Sequence, residues 1–138
     1  MTTKTVKLFL RFSIAAGFLS AVADRFGMWP KDISVWGNWN SFLEYTQLIN
    51  PWMPSTIISP LGIIATAAEL IFALCLIVGF KTDLVAKLSG YLLLIFALSM
   101  TFSTGIKGAF DYSVFTAAAA AFALSMIKEK HWELDKYI

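Results

Sequence analysis

The chain has 138 residues, of which 58% are apolar and 14% charged, and its mean hydropathy is +0.70. Soluble globular proteins carry about 25% charged residues, so this composition excludes a water-facing surface and predicts an integral membrane protein of one domain. The net charge of +2 comes without a basic stripe, which excludes a nucleic-acid partner. One cysteine and one histidine exclude a CxxC redox pair and a histidine metal cluster within a single chain.

Four apolar stretches each approach the about 20 residues that a helix needs to cross about 30 Å of hydrocarbon. Continuous apolar runs predict helices, because lipid offers no partner to unpaired backbone groups. The later connections are short and predict antiparallel neighbours, so the expected fold class is all-α, with four transmembrane helices in an up-down bundle. The predicted spans are about 7–28, 56–80, 86–104 and 110–127, with an outer tryptophan-rich segment at 29–55 and a tail at 128–138.

Basic residues predict the orientation of the chain in the membrane. With the N-terminus inside, eight lysines and arginines are cytoplasmic and three are outside. The positive-inside rule therefore places both termini in the cytoplasm, in the inner membrane of a prokaryote. The tail is then a short cytoplasmic extension, helical or frayed. The basic start is interpreted as an uncleaved first helix, because no small-residue cleavage site follows it.

The outer segment is predicted to form an amphipathic helix over 35–50. Ser34 is the candidate N-cap, and Trp36 and Trp39 recur near helical spacing. Tryptophan favours the membrane–water boundary, so this helix is either an interfacial anchor or a lid over a cavity in the bundle. The motif "NPWMP" ends it, because proline lacks an N–H donor and restricts the residue before it.

The first span, "RFSIAAGFLSAVADRFGMWP", carries charges at both of its ends. Twelve uncharged residues separate Arg11 from Asp24, about 18 Å of helix, which is less than the thickness of the hydrocarbon. Arg11 can reach the cytoplasmic interface with its long side chain, whereas Asp24 cannot. Asp24 shares a face with small residues and is expected to point into the bundle. Arg25 is expected to reach the outer interface or an acid on a neighbouring helix.

Glu69 lies near the middle of the second span, where a charged residue costs about 2.5–3.5 kcal/mol. Such residues are rare, face the protein interior and usually have partners. Arg11 or Arg25 on the adjacent helix could reach part of the way to Glu69, and Thr66 one turn away could share a hydrogen bond. Two interpretations stay open: a structural polar contact between helices, or a site for a head group, a ligand or a proton.

Three stretches, "ADRFGMWP", "VWGNW…FLEYTQLINPWMP" and "AAELIFALCLIVGFKTDLVAKLSG", together resemble the DoxX-like family of small four-helix membrane proteins. The most specific pattern is E-x9-G-F-x-T, from Glu69 to Thr82, and the likeness covers about 8–127. The resemblance implies an accessory subunit of a quinone-linked membrane redox system that is not catalytic alone. It carries over the charged positions Arg11, Asp24, Arg25 and Glu69. The CxxC pair of the redox-active relatives is missing, so electron transfer would belong to a partner.

The expected ligand is a quinone or a lipid, bound without a covalent link or a metal, among polar groups of the first two spans. Expected partners are membrane lipids and either another protein or a second copy of this chain. Two alternatives remain: an assembly or scaffold protein without a ligand, and a small proton-coupled transporter. The candidate ligand-binding residues are Glu69, Asp24, Arg25, Arg11, Thr66, Trp36 and Trp39.

Overall fold

The computed structural model describes residues 1–138, which form helices and connecting segments without any strand. Three helices, Thr3–Arg25, Ser55–Val78 and Thr82–Ser103, are long and apolar enough to cross a membrane. This supports a multi-pass membrane protein of the all-α class. The helices are α1 (Thr3–Arg25), α2 (Trp39–Ile49), α3 (Ser55–Val78), α4 (Thr82–Ser103), α5 (Ile106–Asp111) and α6 (Val114–Met126), and a 3₁₀ turn follows at Leu134–Lys136.

The fourth predicted span, 110–127, is not one continuous helix. The chain breaks at Tyr112 and Ser113, and Ser113 has a φ of +55°, in the left-handed region. This conformation interrupts the helical backbone and separates α5 from α6. With 13 residues, α6 alone is about 20 Å long and falls short of the about 30 Å of hydrocarbon.

Small residues let the helices pack closely in the half of the bundle near the α3–α4 turn. There α1 packs mainly on α3, and α4 mainly on α6. Alanines bring the two helix pairs together, since they allow close backbone approach. The buried apolar residues of this half are Ile14, Ala15, Phe18, Ala73, Leu76, Val85, Ala86, Ala121 and Leu124.

Helix α2 covers the other half of the bundle. It contacts α3 and α4 and buries Phe42, Thr46 and Ile49. The helix begins at Trp39, so the predicted start at 35 is wrong. Its N-cap is Asn38, whose side chain accepts a hydrogen bond from the Ser41 amide at 2.9 Å. Residues 26–38 follow an irregular path into α2. Ser34, which was predicted as the N-cap, lies in this segment and does not cap the helix.

The tail folds back over the end of the bundle, so the prediction of a helical or frayed extension is wrong. Asp135 accepts hydrogen bonds from the amides of Lys81 at 2.5 Å and Thr82 at 2.8 Å. Lys81 offers no side-chain cap of its own, so Asp135 caps α4 from a distant part of the sequence. Burial alone would raise the pKa of Asp135, but these amide bonds and the charge of Lys130 outweigh it and lower the pKa.

Gly79 makes this docking possible. It ends α3 with a φ of +73°, and its N–H is donated to the carbonyl of Cys75. A Cβ at this position would lie 2.5 Å from the Cα of Glu133. Only glycine therefore both ends the helix and lets the tail backbone approach it.

Candidate ligand site between the helices

A cavity of about 800 Å³ lies between the two helix pairs and beneath α2. Its size falls within the range of about 300–1,000 Å³ that is usual for small-molecule sites, and its walls are mostly aliphatic and aromatic. A Cβ added to Gly17 on α1 would meet no atom within 4 Å, so this wall is open to the cavity. Other small residues complete the walls on the facing helices: Ala65, Ala68, Ala117 and Ala120.

Arg25 and Glu69 are the only charged residues that line the cavity. Both are buried, and Arg25 Nη1 forms an ion pair with Glu69 Oε2. The same nitrogen donates a hydrogen bond to Thr66 Oγ1 at 2.7 Å. Of the two positions expected for Arg25, the structure therefore shows the contact with an acid of the neighbouring helix.

Two aromatic rings also contact the Arg25 guanidinium. Its Cζ lies 4.0 Å from the ring centroid of Phe42 and 5.4 Å from that of Trp36. Cation–π contact stabilises a charge away from water. Yet Arg25 Nε and Trp36 Nε1 are buried without a hydrogen-bond partner, which costs about 1–3 kcal/mol for each donor. Neighbouring side chains cover both atoms, so an acceptor reaches them only after a side chain has moved.

Asp24 lies beside this ion pair but does not line the cavity. Its carboxylate accepts hydrogen bonds from the amides of Val35 at 2.8 Å, Trp36 at 3.3 Å and Gly37 at 3.1 Å, and from the hydroxyl of Ser34. Four donors thus satisfy one short side chain. Asp24 holds the segment that leads into α2, and its charge is directed at the loop rather than at the bundle interior.

Five further polar residues line the cavity under α2 and were not among the predicted site residues: Tyr45, Thr46, Asn50, Ser99 and Tyr112. Ser99 Oγ donates to Asn50 Oδ1 at 3.0 Å, and Asn50 Nδ2 donates to the Thr46 carbonyl at 2.9 Å. Burial and the nearby Tyr112 raise the pKa of Tyr45. These residues come from α2, α4 and two connecting segments, so no periodic pattern in the sequence marks them.

Arg11 lies near the tail end of α1 and does not line the cavity, although Ser13 and Ile14 just after it do. It is fully buried, because the tail covers its guanidinium. Its Nε donates to the Leu76 carbonyl at 2.9 Å and its Nη2 to that of Ile77 at 3.0 Å, both at the C-terminal end of α3. Its Nη1 donates to the carbonyls of His131 at 3.0 Å and Trp132 at 2.8 Å.

Lys7, Arg11 and Glu133 form a second buried ionic cluster, at the tail end of the bundle. Lys7 Nζ lies 2.7 Å from Glu133 Oε1, and Arg11 Nη1 lies 3.9 Å from the same oxygen. Lys7 also donates to the Glu129 carbonyl at 2.8 Å. The excess positive charge faces the partial negative charge at the C-terminal end of α3. Nothing in the sequence pattern of the charged tail marks Glu133 as buried.

The two tryptophan candidates have separate surroundings. Trp36 lines the cavity, whereas Trp39 stacks on Phe26 with ring centroids 5.8 Å apart. Trp39 and Thr66 line a second, smaller groove of about 500 Å³ between α1 and α3. The structure thus brings Arg25, Glu69, Thr66 and Trp36 together and leaves the other candidates elsewhere.

Comparisons with protein-family models, with curated proteins and with solved structures found no match for this chain. No group of three or more His, Cys, Asp or Glu side chains is placed to hold a metal ion. The geometry of the cavity and its ion pair therefore carries the functional interpretation.

Proposed function

We propose that this chain is a DoxX-like inner-membrane protein that binds a quinone in the cavity between its helices. In this proposal it acts as a non-catalytic accessory subunit of a membrane redox system. The observation that supports it is an apolar cavity of about 800 Å³ with one buried Arg–Glu pair in its wall. Such a space fits an elongated apolar molecule with a small polar head.

The proposal includes a fourth membrane crossing, made by α5 and α6 together. The segment from Ile106 to Met126 has the length of a span, and a local thinning of the bilayer can accommodate its break. Both termini then lie in the cytoplasm, in agreement with the basic residues at that end of the chain.

The charge balance around the cavity favours a neutral head group over an anionic one. The charge of Arg25 is already matched by Glu69, and no other cation lines the cavity. The carboxylate of Asp24 adds a negative charge nearby. An anionic phospholipid head would thus be buried without a counter-ion, whereas a quinone carbonyl needs only a hydrogen-bond donor.

The chain itself would bind and orient the head group. A bound quinone supplies two-electron redox chemistry, and the electrons would come from a partner protein. Arg25 would donate from Nε to a carbonyl oxygen once the side chain that covers this atom has moved, and the Glu69 carboxylate can hold a proton beside it. The aromatic residues of α2 and Trp36 above the pair exclude water from this end of the cavity.

The direct test is to extract and identify the molecules that copurify with the chain in lipid nanodiscs. We expect a stoichiometric quinone in the wild type, lost in Glu69→Gln and retained in Asp111→Asn, a matched change at an exposed acid. Added quinone at a hundred times its Kd should stabilise the wild type by about 2.7 kcal/mol. Protein with neither bound quinone nor quinone-dependent stability contradicts the proposal.

A cavity-filling variant tests the site without disturbing the ion pair. Gly17→Leu places a side chain in open space, so it should abolish quinone binding and leave the fold intact. Gly17→Ala is the matched control, because it adds helix propensity and little volume. Equal quinone retention in both variants would show that the ligand does not occupy this cavity.

The alternative is an assembly or scaffold protein in which the polar groups are structural. The ion pair between α1 and α3 favours it, because a buried pair fixes how two helices pack. In that case Glu69→Gln and Asp24→Asn lower stability without changing any ligand signal. Recovery of one stoichiometric membrane partner would then support a scaffold.

A further inference from the structure

The tail turns two of its three acids, Glu133 and Asp135, inward and its apolar side chains outward. Glu133 is 2% exposed, whereas Trp132 before it is 75% exposed and Leu134 after it is 44% exposed. Asp135 again points inward, onto the first turn of α4. In water the reverse arrangement would be favoured, since apolar surface is stabilised by burial. The tail therefore presents an apolar face that would be stabilised by contact with an apolar neighbour.

The fold fixes this outward face. Trp132 has a φ of +51°, a region that is rare and costly for a bulky residue. Arg11 holds this conformation by donating to the Trp132 carbonyl, and Asp135 donates its amide to the Gly79 carbonyl at 3.0 Å. The outward position of Trp132 is thus fixed by hydrogen bonds of the tail backbone and does not result from fraying of the chain end.

The tail lies at the level where α3 ends and α4 begins. It contacts the last turn of α3 through Gly79 and the first residue of α4, Thr82. Hydrocarbon gives way to lipid head groups at this level, and tryptophan and tyrosine favour that layer. Tyr137 and Ile138, each 79% exposed, follow in the chain and add exposed apolar surface to the tail.

Exposed lysines surround the tail and outnumber the exposed acids there. Asp83 and Glu129 are the acids, and both already pair with lysines. The exposed lysines at this end of the molecule are Lys4, Lys81, Lys87, Lys128, Lys130 and Lys136. Such an excess attracts anionic lipid head groups.

We propose that the folded-back tail binds the membrane surface, with Trp132, Leu134 and Tyr137 in the head-group layer and the lysines on anionic lipids. This contact is independent of the ligand in the cavity. It makes the last residues a lipid-binding element and not a docking segment for a soluble partner.

Brominated lipids test where Trp132 lies. The full chain is placed in nanodiscs of phosphatidylcholine and phosphatidylglycerol, and the fluorescence of Trp132→Phe is subtracted from that of the wild type. Bromine is carried on the acyl chains of either lipid at equal mole fraction. We expect the difference signal to be quenched by both lipids, at least about twofold more strongly by brominated phosphatidylglycerol, and only weakly by acrylamide in the water.

Each other outcome overturns a part of the proposal. Quenching by acrylamide without quenching by bromine would mean that the tail faces water or a soluble partner. Equal quenching by the two lipids would mean that the lysines do not select anionic lipid. The double variant Lys81→Gln/Lys136→Gln changes two exposed lysines that form no ion pair, and should keep the bromine quenching while losing the preference for phosphatidylglycerol.

Discussion

The two arginines of α1 sit in opposite kinds of surroundings, although both are buried beside a glutamate. Arg11 donates to four backbone carbonyls and is enclosed by the tail. Arg25 pairs with Glu69 and one hydroxyl, keeps Nε without a partner and faces a cavity. The difference teaches that a buried charge alone does not mark a ligand site. What sets Arg25 apart is the cavity beside its ion pair, a space of the size that small-molecule sites usually have.

The largest expected effect comes from removing one partner of the pair beside the cavity. Arg25→Met leaves the Glu69 carboxylate buried and unpaired and should lower the free energy of unfolding by about 3–5 kcal/mol. Adding Glu69→Leu should recover most of this loss, because an apolar pair needs no partner. Denaturant unfolding of the two variants and the wild type measures both steps.

The same double replacement at the tail end should fail to recover stability. Arg11→Met with Glu133→Leu leaves buried Lys7 without its carboxylate partner, and the carbonyls of Leu76 and Ile77 without their side-chain donor. If this double variant recovered as fully as the one beside the cavity, the contrast between an enclosed and an open cluster would be wrong.

A smaller effect is expected at the glycine on which the tail docks. Gly79→Ala forces a φ of +73° on alanine and a Cβ against Glu133, which should cost about 1–3 kcal/mol. The tail should detach and become sensitive to trypsin after its lysines. Gly108→Ala is the control, because its nearest contact is 3.7 Å away. An uncut tail in Gly79→Ala would show that the tail does not depend on this close approach.

Asp135 should make the stability of the tail end depend on pH. Its folded pKa is lower than the ordinary 3.8, so the stabilisation is fully present above that pH and is lost as the pH falls through the folded pKa. Asp135→Asn should therefore lower stability at pH 7 by about 1 kcal/mol, and the gap to the wild type should close in strong acid. A gap that stays constant with pH would mean that the amides of Lys81 and Thr82 do not depend on the ionised carboxylate.

The smallest effect is expected for an ion pair at the protein surface. Lys107 lies 2.6 Å from Asp111, but the two side chains are 86% and 58% exposed. Lys107→Ala should change the free energy of unfolding by less than about 1 kcal/mol, and by less still in high salt. If Lys107→Ala lowered the free energy of unfolding as much as Arg25→Met does, burial would not explain why the two ion pairs differ in strength.

Hydropathy predicted the three long helices because lipid leaves the backbone few other choices. The contact of Arg25 with an acid of the neighbouring helix was among the predictions, since the depth of each residue along adjacent spans follows from its position. The break at Ser113 was not predicted, because neither glycine nor proline marks it. The burial of Glu133 depends on contacts with α1 that no local pattern encodes.

The cluster at the tail end also bears on the order of events during synthesis. Lys7 enters the membrane with the first helix, but the Glu129 carbonyl that it binds lies 122 residues later in the chain. Until the ribosome has made that segment, Lys7 lacks its partners and Arg11 has only the α3 carbonyls of Leu76 and Ile77, although chains begin to fold from the N-terminus during synthesis. A chain cut short before Glu129 would leave the buried ammonium of Lys7 without its partners and should be degraded faster than the full-length chain.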